Sequence, residues 1–168
     1  MSLIQVNRVT LSSQATTMDI TGIDSDDVYL LTINNIIPQN SGARLELRVL
    51  ESGTANTTSN YDRADKFISS SSASNNSEAN QDKLNIFGNQ STSNYGCGFI
   101  YIYNANNSSE FTFFSFEQTA WDVGGVVGGR QGGGVFTSAS QVNGVRILFG
   151  ATTSDILSGA TMTLYKVV

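Results

Sequence analysis

The stretch EFTFFSFEQTAWDVGGVVGGRQGGGVF, residues Glu110 to Phe136, determines how the rest of the sequence is interpreted. Its first part alternates as a β-strand does, with neighbouring side chains pointing to opposite faces. Phe111 and Phe113 would lie on one face, and Phe114 and Phe116 on the other. Because both faces carry aromatic side chains, we expect a central strand that is buried on both sides.

The second part of this stretch is dominated by glycine. Trp121, the only tryptophan of the chain, is followed by a run from Gly124 to Gly134 that is mostly glycine. Glycine loses more backbone entropy on folding than any other residue, so it is kept where a positive φ or a close backbone approach is needed. We therefore predict that Gly124–Gly134 is a packed or subunit-facing loop that allows close contact.

The composition is typical of an all-β protein. Charged residues make up 14% of the 168 residues, below the about 25% usual for a soluble domain. Runs of β-branched and aromatic residues, such as VYLLTINNII at Val28–Ile37, alternate with turn-rich segments. We predict one domain over residues 1–168, a jelly-roll-type β-sandwich of about eight to ten antiparallel strands with little or no helix. Residues 1–13 would form a first strand, interrupted by a bulge, or an N-terminal arm.

Several segments carry more specific predictions. Ala43–Leu50 alternates, so its apolar side chains should face the core and its charged ones, including Glu46, should face water. Tyr61–Ile68 is predicted as a strand, although a helical turn also fits. The polar run Ser69–Asn80 is predicted as a mobile surface loop or hairpin tip. Cys97 should pack as a small hydrophobic residue.

Residue types that commonly perform catalysis or bind metals are scarce. The chain has no histidine, and its single cysteine can form neither an intrachain disulfide nor a thiolate zinc site. The glycine run lacks the Gly-Lys-Ser/Thr ending of a phosphate-binding loop. Asp24, Asp26 and Asp27 could bind a hard cation, but their spacing matches no known cation-binding loop. We expect no enzyme activity, no cofactor and no metal site.

Charge and hydropathy exclude further classes. The formal net charge of -5 argues against binding to a nucleic-acid backbone. The N-terminus lacks the pattern of a signal peptide, and no apolar segment approaches the about 20 residues that cross a bilayer. We expect a protein made in a cytoplasm that binds neither nucleic acid nor membrane. Tyr61, Tyr95 and Trp121 could stack on sugars, or could simply pack in the core or at its rim.

Several segments together resemble β-sandwich structural proteins of tailed bacteriophages, especially those of marine and cyanobacterial phages. They are YLLTINNI, LELRVLESGT, EFTFFSFEQT, GGRQGGGVFT, GVRILF and the closing GATMTLYKV. The last segment, Gly159–Val167, lacks the glycine that ends the corresponding strand in that family. The resemblance covers most of the chain from Val28 onward, and its motifs are structural. It implies a jelly-roll virion component, either a capsid decoration protein or a module of a tail fibre.

The first of these two possibilities fits the sequence better. The chain begins with methionine and has no heptads, collagen-like triplets or other repeats of a fibre stalk. We expect a homotrimeric decoration, or cement, protein on the outer surface of the virion capsid, bound to the major capsid protein and stabilising the shell. The alternative is a receptor- or glycan-binding β-sandwich module of a tail or tail fibre. The candidate interface residues are Leu3, Ile4, Val6, Trp121, Arg130 and Gln131.

Overall fold

The computed structural model describes residues 2–150 and 154–168, without the side chain of Asn89, so parts of the predicted domain at Met1 and 151–153 lie outside the described residues. The described residues form thirteen strands and no helix. The strands are β1 (Leu3–Thr10), β2 (Thr17–Thr21), β3 (Tyr29–Ile36), β4 (Ala43–Glu51), β5 (Thr54–Ala55), β6 (Tyr61–Ser69), β7 (Ala73–Gln81), β8 (Leu84–Gln90), β9 (Gly96–Tyr103), β10 (Thr112–Trp121), β11 (Val127–Phe136), β12 (Gly144–Gly150) and β13 (Thr161–Val167). None of the described residues belongs to a helix that could span a membrane.

The strands form two antiparallel sheets. The eight-stranded sheet has the order β1-β13-β3-β9-β10-β11-β6-β7. The five-stranded sheet has the order β2-β12-β4-β5, and β8 also pairs with β4. Buried apolar side chains from both sheets form one core cluster. The predicted all-β antiparallel fold is therefore confirmed, whereas the jelly-roll connectivity stays a prediction.

Strand β10 lies near the middle of the eight-stranded sheet and is buried on one face. Phe114 and Phe116 point into the core and are buried, whereas Phe111 and Phe113 are exposed. The prediction of burial on both faces is wrong, because no described segment packs over the outer face of this sheet. In this strand, the aromatic side chains of one face belong to the core, and those of the other face form an open apolar surface.

Two segments predicted as loops are strands, which is one reason why the predicted number of strands was too low. Ser69–Asn80 mostly forms β7, a polar edge strand paired with β6. The predicted loop Gly124–Gly134 forms a turn and then β11, which pairs along its whole length with β10 and along most of it with β6. Neither segment has the hydrophobic alternation that predicts a strand, since β7 is polar throughout and β11 is rich in glycine.

The inner-face glycines of β11 leave room for neighbouring strands. A Cβ atom on Gly132 would lie 2.5 Å from the carbonyl oxygen of Ala64 in β6. A Cβ atom on Gly134 would lie 2.8 Å from Cδ2 of Leu84 in β8, which belongs to the other sheet. The close approach that the glycines predicted is therefore present, and it occurs between strands of the same chain.

In strand β4, the prediction is correct for the side chains that face the core and wrong for Glu46 on the opposite face. Leu45, Leu47 and Val49 are buried, as predicted. Glu46 was predicted to face water but is 3% exposed, with Lys83 Nζ 3.6 Å from its Oε2. Burial raises the pKa of the Glu46 carboxyl group. The prediction failed because an alternating pattern does not show whether other segments cover the second face.

Both ends of the described chain lie at one edge of the eight-stranded sheet. Strand β1 pairs with β13, and their register shifts between Gln5 and Asn7, which places a bulge in the first strand as predicted. The backbone N–H of Ser2 donates to the carbonyl of Val168 at 2.7 Å, and that of Val168 donates back at 3.0 Å. The N-terminal segment is therefore a paired strand and not a free arm.

Replacing Gly132 with alanine should lower the free energy of unfolding by about 1–3 kcal/mol, because the new methyl group would overlap the backbone of β6. Gly129 is the matched control, since a Cβ atom there would lie 3.6 Å from Gln118 O, an ordinary contact. Gly129→Ala should leave stability unchanged or slightly raised. Urea unfolding, followed by Trp121 fluorescence, measures both. Equal losses in the two variants would contradict the packing explanation.

Candidate functional site

The outer face of the eight-stranded sheet is the first candidate site. Strands β9, β10, β11 and β6 each direct every second side chain to this face, because strand side chains alternate. Ile68, Phe99, Phe113, Trp121 and Val127 all lie on it and are exposed. Exposed apolar side chains that are gathered on one face are typical of interaction surfaces.

One half of this face carries a row of aromatic rings on β9. Phe99, Tyr101 and Tyr103 follow one another at two-residue spacing, and we call them the aromatic ladder. The ring centroids of Phe99 and Tyr101 are 6.0 Å apart at 80°, and those of Tyr101 and Tyr103 are 6.3 Å apart at 25°. Tyr103 Oη lies 3.2 Å from Ser115 Oγ on the next strand, which holds the last ring in place.

Polar groups and a glycine-lined trough lie beside the aromatic ladder. Glu117 is paired with Phe99 across the sheet and with Gln131 on its other side. Gly133 contributes no side chain, so a trough of about 460 Å³ runs along the face between Phe113 and Ala64. The surface thus offers flat rings, an apolar trough, a carboxylate and a carboxamide within one sheet face.

The other end of the face carries three apolar side chains around Gly129. Trp121, which is 37% exposed, is paired with Val127, and Ile68 is paired with Gly129. We call Ile68, Trp121 and Val127 the Trp121 cluster. Cys97, which is paired with Thr119 on the same face, is exposed. The prediction that Cys97 packs as a small hydrophobic residue is wrong, because its strand directs it to the open face.

The second candidate site is the edge of the sheet formed by β1. This strand has β13 on one side and no described strand on the other. Leu3, Ile4 and Val6 are exposed along it, with Ile4 54% exposed. The opposite edge, β7, consists of small and polar residues with the sequence ASNNSEANQ. Edge strands expose unpaired backbone groups, and polar residues are a common protection against unwanted pairing. The β1 edge also has exposed Gln5 and Arg8 and a bulge, but unlike the β7 edge it exposes large apolar side chains.

The structure places the six predicted interface residues in three different environments. Leu3, Ile4 and Val6 lie at the β1 edge, Trp121 and Gln131 lie on the outer face, and Arg130 lies between the sheets. The Arg130 side chain is 7% exposed, and its Nη1 donates to Asn85 Oδ1 at 3.0 Å. Arg130 is therefore not available on the outer face, because it lies at an inner position of a strand and not in a loop.

Sequence reasoning missed the aromatic ladder, although a signal for it exists. In GCGFIYIY the aromatic residues alternate with isoleucines, so the isoleucines take the core face and the aromatic rings take the outer one. Of the three residues proposed to stack on sugars, Tyr95 and Trp121 are exposed, but Tyr61 is buried. The Tyr61 ring lies 4.9 Å from that of Phe136, and its hydroxyl accepts a hydrogen bond from the Val49 N–H at 3.1 Å.

The three aspartates of the GIDSDD turn have protein partners. Asp24 accepts a hydrogen bond from the Tyr29 hydroxyl at 2.9 Å, and Asp26 accepts one from Asn107 Nδ2 at 3.0 Å. The hydrogen bond from the Lys166 ammonium holds the pKa of Asp27 below its ordinary value. Within 2–150 and 154–168, no group of three or more His, Cys, Asp or Glu side chains is arranged to bind a metal. These carboxylates organise the turn before β3.

No protein-family model matches the chain, and a search of curated proteins found no relative. The functional interpretation therefore depends on the resemblance described above and on the two exposed surfaces. The outer face can bind a partner by burying apolar area at the Trp121 cluster, or by stacking at the aromatic ladder. The β1 edge can bind a partner through both its backbone and its apolar side chains.

Proposed function

We propose that the chain is a capsid decoration protein of a tailed bacteriophage, which binds the assembled head as a homotrimer and stabilises it. The observation that carries this proposal is the uncovered apolar outer face of the eight-stranded sheet. The resemblance to β-sandwich virion proteins supplies the biological setting, and the face supplies a surface for the shell. A protein that binds assembled subunits but not separated ones stabilises the assembly by mass action.

The Trp121 cluster is the part of the face that we assign to the capsid contact. Tryptophan is enriched among the residues that contribute most to protein–protein binding, particularly where polar groups around it exclude water. Glu117, Gln131 and Lys66 form a polar row across β10, β11 and β6 next to the cluster. An apolar centre with a polar rim is the usual arrangement of a protein interface.

The β1 edge is the surface that we assign to contacts between copies. Contacts around a threefold axis join two different surfaces of neighbouring copies. The exposed side chains of Leu3, Ile4 and Val6 would therefore pack against another part of the next subunit. Contacts of this kind would cover the apolar side chains of β1 that are exposed in the described structure.

Replacing Trp121 with alanine should weaken binding to empty heads by at least about tenfold, since central interface tryptophans commonly contribute 2 kcal/mol or more. Phe111→Ala is the matched control, because Phe111 is an exposed aromatic residue immediately before β10, at the end of the strand opposite to Trp121. It should bind heads as the unchanged protein does. Co-sedimentation with heads measures the affinity, and electron microscopy locates the added density. Binding at the tail alone, or equal effects of the two substitutions, would contradict the proposal.

Light scattering should give the mass of a trimer, and Ile4→Lys should shift the population towards the monomer, because a charge would be placed at the β1 edge. Asn75→Lys places the same charge on the opposite, polar edge of the sheet and should leave the trimer intact. A monomer at all concentrations in the unchanged protein would rule out the homotrimer. Dissociation by both substitutions would remove the assignment to β1.

A second candidate function is recognition of glycans on a host surface, as a module of a tail or tail fibre. It is favoured by one specific observation, the aromatic ladder beside Ser115, Glu117 and Gln131. Aromatic rings stack on the apolar faces of sugars, and carboxylate and amide groups bind their hydroxyls.

Under this second function, Tyr101→Ala should abolish binding on a glycan array, because it removes the central ring of the aromatic ladder. Trp121→Ala should retain that binding, since Trp121 lies at the other end of the face. The same pair of variants therefore separates the two functions, with head binding sensitive to Trp121 and glycan binding sensitive to Tyr101. An array on which the unchanged protein binds nothing would eliminate this candidate.

A further inference from the structure

A polar cleft of about 260 Å³ lies between the two sheets, beside the edge strands β7 and β8. Three arginines line it, Arg44 from β4, Arg63 from β6 and Arg130 from β11, together with the ring of Phe67. The lining is completed by Ser74, Asn76 and Glu78 of β7, by Asn85 and Gly88 of β8, and by Asp122. The space between two packed sheets is normally filled by apolar side chains, so a cleft lined by arginines requires a specific explanation.

Charged side chains at the base of this cleft are almost fully buried. Arg63 and Asp65 are each 8% exposed and form an ion pair. Arg63 Nε also donates to Glu78 Oε2 at 2.9 Å. Buried charges are costly unless they are paired, and these contacts compensate Arg63 and Asp65. The third arginine, Arg130, is also buried, and it shares the Asp65 carboxylate with Arg63.

The guanidinium group of Arg130 is incompletely paired. Its Nη1 donates to Asn85, but its Nε lies 3.3 Å from Asp65 Oδ1 and has no hydrogen-bond partner in the described part of the chain. Its Nη2 faces Gly88, where a Cβ atom would lie only 3.1 Å away. Burial, together with the positive charges of Arg63 and Arg44, lowers the pKa of Arg130 to about 10. A hydrogen-bond acceptor bound in the cleft would pair with the part of the Arg130 guanidinium group that lacks a protein partner.

Arg44 adds a second positive group at the mouth of the cleft. It is exposed and forms no ion pair with any described residue. Within the same lining, the carboxylate of Glu78 is occupied by Arg63, and all three arginines lower its pKa, with the Arg63 hydrogen bond as the largest cause. The Arg44 guanidinium group therefore remains available to an incoming carboxylate, as does Nη2 of Arg130, whose Nη1 and Nε face Asn85 and Asp65.

We infer that this cleft binds an acidic sugar residue, with its carboxylate held by Arg130 and Arg44. Planar guanidinium groups bind carboxylates through paired, charge-assisted hydrogen bonds. Phe67 offers a ring to the apolar face of a sugar. The Ser74 hydroxyl and the side-chain oxygen of Asn76, whose Nδ2 donates to Asp65 Oδ1 at 3.1 Å, offer partners for the sugar hydroxyls. The volume of the cleft suits one sugar ring better than a segment of polypeptide. The site lies apart from the outer face and does not depend on the capsid function.

Isothermal titration calorimetry with glucuronate as the probe tests the inference, with glucose and acetate as comparison ligands. Glucuronate should bind more tightly than either, because only it presents both a carboxylate and a sugar ring. Arg44→Gln should weaken glucuronate binding by about threefold or more, as the loss of an exposed ionic contact predicts. Arg8→Gln is the matched control, since Arg8 is an exposed arginine on β1 at the other edge of the sheet.

A second variant, Gly88→Ala, keeps every charge but places a methyl group beside Arg130 Nη2. It should also weaken glucuronate binding, whereas a mere attraction to positive charge would be unaffected. Absence of glucuronate binding at millimolar concentration would overturn the inference. Equal binding of acetate would also overturn it, and would indicate a site for an acidic protein side chain. Equal weakening by Arg8→Gln would show that the arginines of the cleft have no special role.

Discussion

The close approach of β11 to its neighbours is the constraint on which the rest of the structure depends. On its inner face, the backbone of β6 and the Leu84 side chain of the opposite sheet lie so close to the glycines that a Cβ atom there would overlap them. This strand joins β10 to the β6–β7 hairpin in one eight-stranded sheet. Larger side chains at these positions would push β6 and β8 away from β11. The glycines therefore keep β6 paired with β11 and keep this sheet close to β8.

The glycines on both faces of β11 explain why the two faces of the eight-stranded sheet differ so much. On the inner face, Arg130 is left as a large side chain among glycines, and it fills space beside Asn85 and Asp65 that apolar residues fill elsewhere. On the outer face, Gly129 and Gly133 leave a smooth floor between aromatic and aliphatic side chains. One sequence feature thus produces both a polar cleft inside and an open apolar surface outside.

Much of the fold could be predicted from the sequence, because strands such as Val28–Ile37 have β-branched and aromatic residues in an unmistakable pattern. The polar edge strand β7 and the glycine strand β11 could not, since their stability comes from pairing with neighbours and not from their own side chains. Of the predicted interface residues, Trp121 and those of β1 are exposed, whereas Arg130 is buried between the sheets. Which face of a strand is covered depends on distant segments that local alternation does not reveal.

The mutual hydrogen bonds between Ser2 and Val168 also have a practical consequence. Because Ser2 and Val168 lie side by side, a short linker between them would close residues 2–168 into a ring with little distortion. New ends could then be opened in an exposed turn, as circular permutation requires. The sandwich could in this way display a fused peptide at a different site while its original ends stay joined.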